Sequence, residues 1–298
     1  IAFPVMMSIL IEQLINITDA LFLGHVGDVE LGASALAGIW FLAIYMLGFG
    51  FSLGLQVIIA RRNGEQWYAE TGKTFFQGLF FLLILAVLLC MLSKIFSPVL
   101  LKHLITSDDV YNAVIRYLDW RIWGLLFSFP FLALRSFLVG ITQTKALNMA
   151  AFTAVLVNIP LNWLLIFGFD MGISGAAIAS SSAEMCSLAV LAAYMFRHID
   201  KKAYGLYWRI DITVLKEVFS ISVWSMLQFF TSVAIWFLFF VAIERLGETE
   251  LAVSNIVRSV SALFSVIVNA LAGVTGSLVS NLIGAGEKKQ VFPLCHKI

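Results

Sequence analysis

Eight stretches of roughly 20 apolar residues, parted by short charged or Gly/Pro-bearing breaks, constrain this chain more than any other feature. They fall at about 3–23, 35–60, 75–96, 118–140, 148–168, 173–196, 214–243 and 254–283. At helical rise, ~20 residues cross a hydrocarbon layer of ~30 Å. In lipid the backbone must satisfy its own hydrogen bonds, so only helices or closed barrels cross it, and these runs are too long for barrel strands of ~9–11 residues. The fold class expected is therefore an all-α polytopic membrane protein. A mean hydropathy of +0.95 with only 12% charged residues agrees, because a water-soluble domain could not cover that much apolar surface.

Charge placement predicts the orientation. If the amino terminus is cytoplasmic, the inner loops and helix ends carry twelve basic residues: Arg61, Arg62, Lys73, Lys145, Arg197, Lys201, Lys202, Arg209, Lys216, Lys288, Lys289 and Lys297. The outer ones carry five: Lys94, Lys102, Arg116, Arg121 and Arg245. This asymmetry follows the positive-inside rule and places the chain, multi-pass, in the cell (cytoplasmic) membrane with its amino terminus inside. The net charge of +1 is spread between apolar runs, so nothing points to nucleic acid. Cys90, Cys186 and Cys295 have neither the number nor the spacing of a disulfide framework or zinc site. The opening IAFPVMMSIL lacks a charged n-region and a cleavage site, so it reads as a span and not as a signal peptide.

The chain also repeats itself. HVGDVELGAS from His25 aligns with RLGETELAVS from Arg245 at an offset of 220 residues, pairing Gly27, Asp28, Glu30, Leu31 and Ser34 with Gly247, Glu248, Glu250, Leu251 and Ser254. The identities then shift by two residues, with Gly54, Val57, Gly64 and Glu65 against Gly276, Val279, Gly286 and Glu287. Six spans separate the copies, and an even number leaves both in the same orientation, as in transporters built from parallel repeats. The expected organisation is a six-helix lobe over 1–200, a cytoplasmic linker over 201–213, and the first two spans of a second lobe over 214–298. About four further spans would complete the second copy.

Polar residues inside a span need a reason, since a charge at a helix centre costs about 2.5–3.5 kcal/mol on insertion scales. Glu12, Asn16 and Asp19 are spaced i, i+4, i+7 and are expected to form one polar stripe facing the bundle interior. The position 220 residues after Asp19 is Phe239, so the fold does not demand a carboxylate there; a capping role near the span's end is the alternative. Glu12 and Glu184 could equally be interhelical glue. On the fifth span Asn158 and Asn162 flank Pro160, whose missing N–H frees a carbonyl one turn earlier and bends the helix. Two amides and a carboxylate can hold a hard cation such as Na⁺, or tune a proton carrier; the alternative is that both amides only bridge helices. Ser180 could add an oxygen, although GISGAAIASSS is also a small-residue packing stretch. His25, His103, His198 and His296 have no partners at a catalytic spacing, and no nucleophile–base pair or HExxH cluster suggests an enzyme.

These residues resemble the MATE (multidrug and toxic compound extrusion) family. The resemblance runs from Pro4 through ITDALFLGHVG, the RRNGE turn, VLVNIPLNWLLIFG and GISGAAIASS to the second-copy GAGE turn at Gly284 to Glu287. It implies two six-helix lobes forming a V, and a monomeric antiporter that exports drugs or organic cations by alternating access with Na⁺ or H⁺ as coupling ion and no cofactor. It also implies a coupling site at Asp19, Asn158, Asn162 and Ser180, a Na⁺ ion being held by Asp19, Asn158 and Asn162, and a helix bend at Pro4. Some relatives have aspartate at the place of Asn162, and some carry an acid in the seventh span, where this chain offers only Gln228. The alternative is a lipid-linked oligosaccharide flippase of the same superfamily. That activity needs a cationic cavity, and the sequence places only Arg135 and Arg258 within spans, both near helix ends.

Overall fold

The computed structural model describes the backbone of residues 2–105, 107–207, 210–244 and 248–297; side chains are described there except at 2, 12, 237, 238, 240–244, 248–260, 262–264, 266 and 297. Ten helices make it up: α1 (Ala2–Val26), α2 (Asp28–Gly64), α3 (Tyr68–Leu104), α4 (Asp108–Arg121), α5 (Leu125–Gly140), α6 (Lys145–Trp163), α7 (Gly172–His198), α8 (Ile212–Glu244), α9 (Glu248–Gly284) and α10 (Val291–Lys297). Eight segments among them are long and apolar enough to cross a membrane. The chain is thus a polytopic α-helical membrane protein, and the eight runs read from the sequence are its helical spans.

The fourth span differs from its expected start at 118. It begins with α4, capped by Ser107, whose hydroxyl accepts from the Val110 amide, with Asp108 and Asp109 in the first turn, where acids complement the helix dipole. A 3₁₀ turn, Ile122–Gly124, joins α4 to α5. Arg116, Asp119 and Arg121 make α4 too polar to read as a span. Yet Ala113, Val114, Tyr117 and Leu118 give it one buried stripe, and that is enough to dock it.

Two apolar clusters hold the first six spans together. One is built around Phe51, Phe75, Phe129 and Phe137, all fully buried, with Phe75 and Phe137 at 5.0 Å between ring centroids. The other, toward the Gly27 end, is mostly small: Ala33, Ala37, Ala113, Ala176 and Ala177 with Leu23, Leu118 and Ile166. Small side chains let backbones approach where no hydrophobic gradient exists between lipid and protein, and this is how the GISGAAIASSS stretch serves α7. Apolar side chains on the far face of α3, such as Ile84, Leu88, Met91, Ile95 and Val99, remain exposed, as lipid contact requires.

The repeat is kept by the backbone more strictly than by the side chains. Helices α2 and α9 both have 37 residues and begin and end 220 apart. The turns that follow share that offset bond for bond: Glu65, Gln66 and Trp67 amides donate to Arg61, Asn63 and Arg62 carbonyls, as Ala285, Gly286 and Glu287 do to Asn281, Ile283 and Leu282. Gln66 and Gly286, also 220 apart, both have positive φ. The two-residue shift inferred from Gly54, Gly64 and Glu65 is therefore a side-chain coincidence. Turns favour Gly and polar residues at several places, whereas the hydrogen-bond ladder admits one register. The second-copy turn at Arg245 to Gly247 lies outside the described residues.

The two copies meet at the Gly64 end. Gly64 packs on the Asn281 carbonyl and Gly284 on the Arg61 carbonyl, a reciprocal pair in which each glycine meets the counterpart of its own neighbour. Around this crossing, Asn63 donates to Asn281 (2.9 Å), Asn281 to the Gly140 carbonyl (2.9 Å), Gln56 to the Gly273 carbonyl (3.0 Å) and Ser222 to the Phe51 carbonyl (3.2 Å). Arg62–Glu217 and Lys73–Asp211 pairs, each 2.6 Å, close the rim. Toward the other end, Leu227, Phe230, Ile235 and Trp236 of α8 and Val268 of α9 are exposed, as are Leu31, Leu36 and Leu42 of α2.

Candidate cation site

Asp19 lies two turns before the end of α1, where α6 and α7 pack on it. Its Oδ1 accepts from Asn162 Nδ2 (2.5 Å) and its Oδ2 from the Ser180 hydroxyl (2.7 Å). Asn162 Nδ2 also donates to Asn158 Oδ1 (3.0 Å), and Asn158 Nδ2 donates to Ser180 Oγ (3.2 Å). Both amides are 0% exposed. The ring of four side chains thus joins three spans, and the i, i+4 spacing of Asn158 and Asn162 puts both on one face of α6. Helix α6 runs on through Pro160 to Trp163 and widens into a π turn over Leu164–Gly168. Such turns are frequent at functional sites.

Two features distinguish this ring from interhelical glue. Asp19 has no cationic side chain in ion-pair contact among the described residues. In addition, Asn162 Oδ1 is buried and receives no hydrogen bond. An unsatisfied buried acceptor costs about 1–3 kcal/mol unless a donor or cation reaches it. The carboxylate, two amide oxygens and a hydroxyl form the all-oxygen donor set that a hard cation takes.

The other expected residues are placed differently. Asn16 does not share the interior with Asp19: it is exposed and bonds within its own helix to Gln13 (3.1 Å). The Glu12 side chain lies outside those described. Pro4 lies within α1. Glu184 makes a two-pronged pair with Arg121, at 3.0 and 2.5 Å, and is not a member of the Asp19 ring. Arg121 was expected at an outer helix end; it is instead a buried cation, its side chain 12% exposed. The sequence signal that could have found it is an Arg inside the fourth apolar run together with the sole acid of the sixth, 63 residues on, opposite charges that are costly in lipid unless matched. Arg258's side chain is outside those described. Phe239, at the position of Asp19 in the second copy, is exposed on α8, as is Gln228.

A family model described as MatE matches residues 4–164, more than half of the chain. The chain belongs to the MatE family. Its curated relatives include the probable multidrug resistance proteins NorM of Shewanella oneidensis, 26% identical over 88% of this MatE chain and 59% of the relative, and of Idiomarina loihiensis, 23% identical over 97% and 64%. The chain thus spans about three fifths of the length of these relatives. In structure it is similar to the outward-facing conformation of a multidrug resistance MATE family transporter of the MOP superfamily, with a TM-score of 0.90 at 20% identity, over 98% of this chain and 65% of that one. The MatE fold is accordingly the parallel repeat expected, with six spans of one lobe and two of the next.

Proposed function

We propose that the complete gene product containing this chain exports drug-like organic cations in exchange for inward-moving Na⁺ or H⁺, by alternating access. The observation that carries the reading is the Asp19 ring: an intramembrane carboxylate that, among the described residues, has no ion pair, beside a buried amide oxygen that lacks a donor there. Either ion answers the same need, Na⁺ through the oxygen set and H⁺ on the carboxylate itself. Asp19, Asn158, Asn162 and Ser180 are the coupling residues in both cases.

Coupling requires only that the ion favour one arrangement of the lobes and the drug another. The contacts between the copies cluster at the Gly64 end, which the excess of basic residues assigns to the cytoplasm, so the arrangement described corresponds to the outward-facing state. One charge moving inward down 100 mV supplies about 2.3 kcal/mol for resetting it. The flippase alternative is weaker, since Arg121, the largely buried cation beside the site among the described residues, is matched by Glu184 and offers no net charge to a pyrophosphate.

The test is ethidium uptake into everted vesicles carrying the complete gene product, with Na⁺ and H⁺ gradients collapsed separately. Loss of export with one gradient identifies the coupling ion. Asp19→Asn should fold and lose gradient-driven export; a variant that keeps it refutes the site.

A further inference from the structure

The strongest feature outside the Asp19 ring is the Arg121–Glu184 pair. Both oxygens of Glu184 are taken up by the guanidinium, and Ser128 Oγ adds a 2.7 Å bond to Oε2. The guanidinium also lies 3.8 Å from the Phe41 ring centroid. Gly124, in the 3₁₀ turn between α4 and α5, leaves the room: a Cβ there would lie 2.6 Å from Glu184 Oε2 and overlap Arg121 Nη1. The pair is thus built from four elements, and its assembly depends on the break in the fourth span.

Its position relative to the coupling ring is the telling point. Ser180, which bonds Asp19, and Glu184, which bonds Arg121, are i and i+4 on α7 and so share one face, about 5–6 Å apart. A carboxylate that must bind and release a cation therefore sits one turn from a permanently charged guanidinium, in a setting where charges are poorly screened. An unopposed arginine there would form a forked pair with Asp19 and exclude the coupling ion. The ionisable groups gathered at this point are Asp19 from α1, Tyr117 and Arg121 from α4 and Glu184 from α7. Among the described residues, helices α2, α5 and α6 contribute uncharged groups in contact with them: Phe41, Ser128 and the two amides.

We propose that Glu184 is a fixed counter-ion that holds Arg121 away from Asp19, so that Asp19 alone among the two acids exchanges the coupling ion. Glu184 and Arg121 are positioning residues in this scheme, and the pair leaves Asp19 as the exchangeable charge of the two acids. The proposal rests on the coupling role of Asp19 set out above.

The experiment titrates Na⁺ or H⁺ against ethidium bound to the purified, complete gene product and reads the ion concentration for half-release per mole of folded protein. In Glu184→Gln, Arg121 turns to Asp19 and half-release should need at least tenfold more ion, with ethidium affinity kept within threefold. In Arg121→Gln/Glu184→Gln, where both charges are gone, half-release should return to within threefold of the parent. A merely structural ion pair would change the yield of folded protein and leave this titration in place. Arg121→Lys keeps both charges and hence the fold, but its ammonium cannot occupy both Glu184 oxygens; it should shift half-release at least threefold and serves if Glu184→Gln is not recovered folded. An unshifted titration in Glu184→Gln or Arg121→Lys, or a double variant as impaired as Glu184→Gln, overturns the proposal. Asp19→Asn separates the two readings: ion-driven release persisting there refutes the coupling site itself.

Discussion

Replacing Gly64 by valine should open the end at which the two copies meet. A Cβ at Gly64 would lie 2.8 Å from the Asn281 carbonyl carbon and 3.0 Å from its Cα, closer than real side chains approach backbone. The obstacle is backbone, so α9 must withdraw by about 1 Å instead of a side chain turning aside. Withdrawal breaks the Asn63–Asn281 and Asn281–Gly140 hydrogen bonds, both 2.9 Å, at about 1 kcal/mol each. Overpacking adds about 1–2 kcal/mol. The closed arrangement thus loses about 3–4 kcal/mol, and the closed-to-open ratio falls by roughly a hundredfold to several hundredfold. Spin labels on Arg61→Cys and Gln290→Cys, with Cys90, Cys186 and Cys295 replaced, would report this as a longer-distance population. Gly284→Val should give a similar effect through the Arg61 carbonyl, and the two together should be less than additive because one interface yields in both. If neither variant shows a longer distance, the reciprocal glycine contact does not hold this end closed.

Three further outcomes are expected. Ser180→Ala removes one oxygen of the Asp19 set together with a charge-assisted bond worth about 1.5–3 kcal/mol, so with Na⁺ as the coupling ion its apparent affinity should fall about tenfold to a hundredfold in an ion-dependence curve of efflux. Gly124→Ala should disturb the Arg121–Glu184 pair and lower the thermal midpoint of the detergent-solubilised protein, whereas Ala at exposed Gly32, which meets nothing within 4 Å, should not. The Lys73 ammonium first, then the Val214 and Thr213 amides, hold the Asp211 carboxyl below its usual range. A carboxyl depressed in the folded state stabilises above its unfolded pKa of about 3.9, and that support vanishes as pH falls through the lower folded value. The protection factors of amides at the start of α8, corrected for the pH dependence of intrinsic exchange, should therefore be steady near pH 5 and fall in more acidic buffer, with Asp211→Asn removing the dependence.

Local patterns carried a definite share of this protein. Span number follows from apolar length, since a helix must match the thickness of the layer it crosses. The pairing of Asn158 with Asn162 follows from helical spacing, and the parallel repeat from the 220-residue offset of HVGDVELGAS and RLGETELAVS. Tertiary structure decided the rest, because no periodicity encodes which helix meets which. Asp19 reaches Asn162 across 143 residues, and Arg121 reaches Glu184 across 63. Asn16 looked as interior as Asp19, but lipid is as apolar as a helix neighbour, so a polar stripe does not declare where it ends. The true register of the repeat and the reciprocal seat of Gly64 and Gly284 emerge only when two backbones cross, at a distance set by what each lacks in side chain.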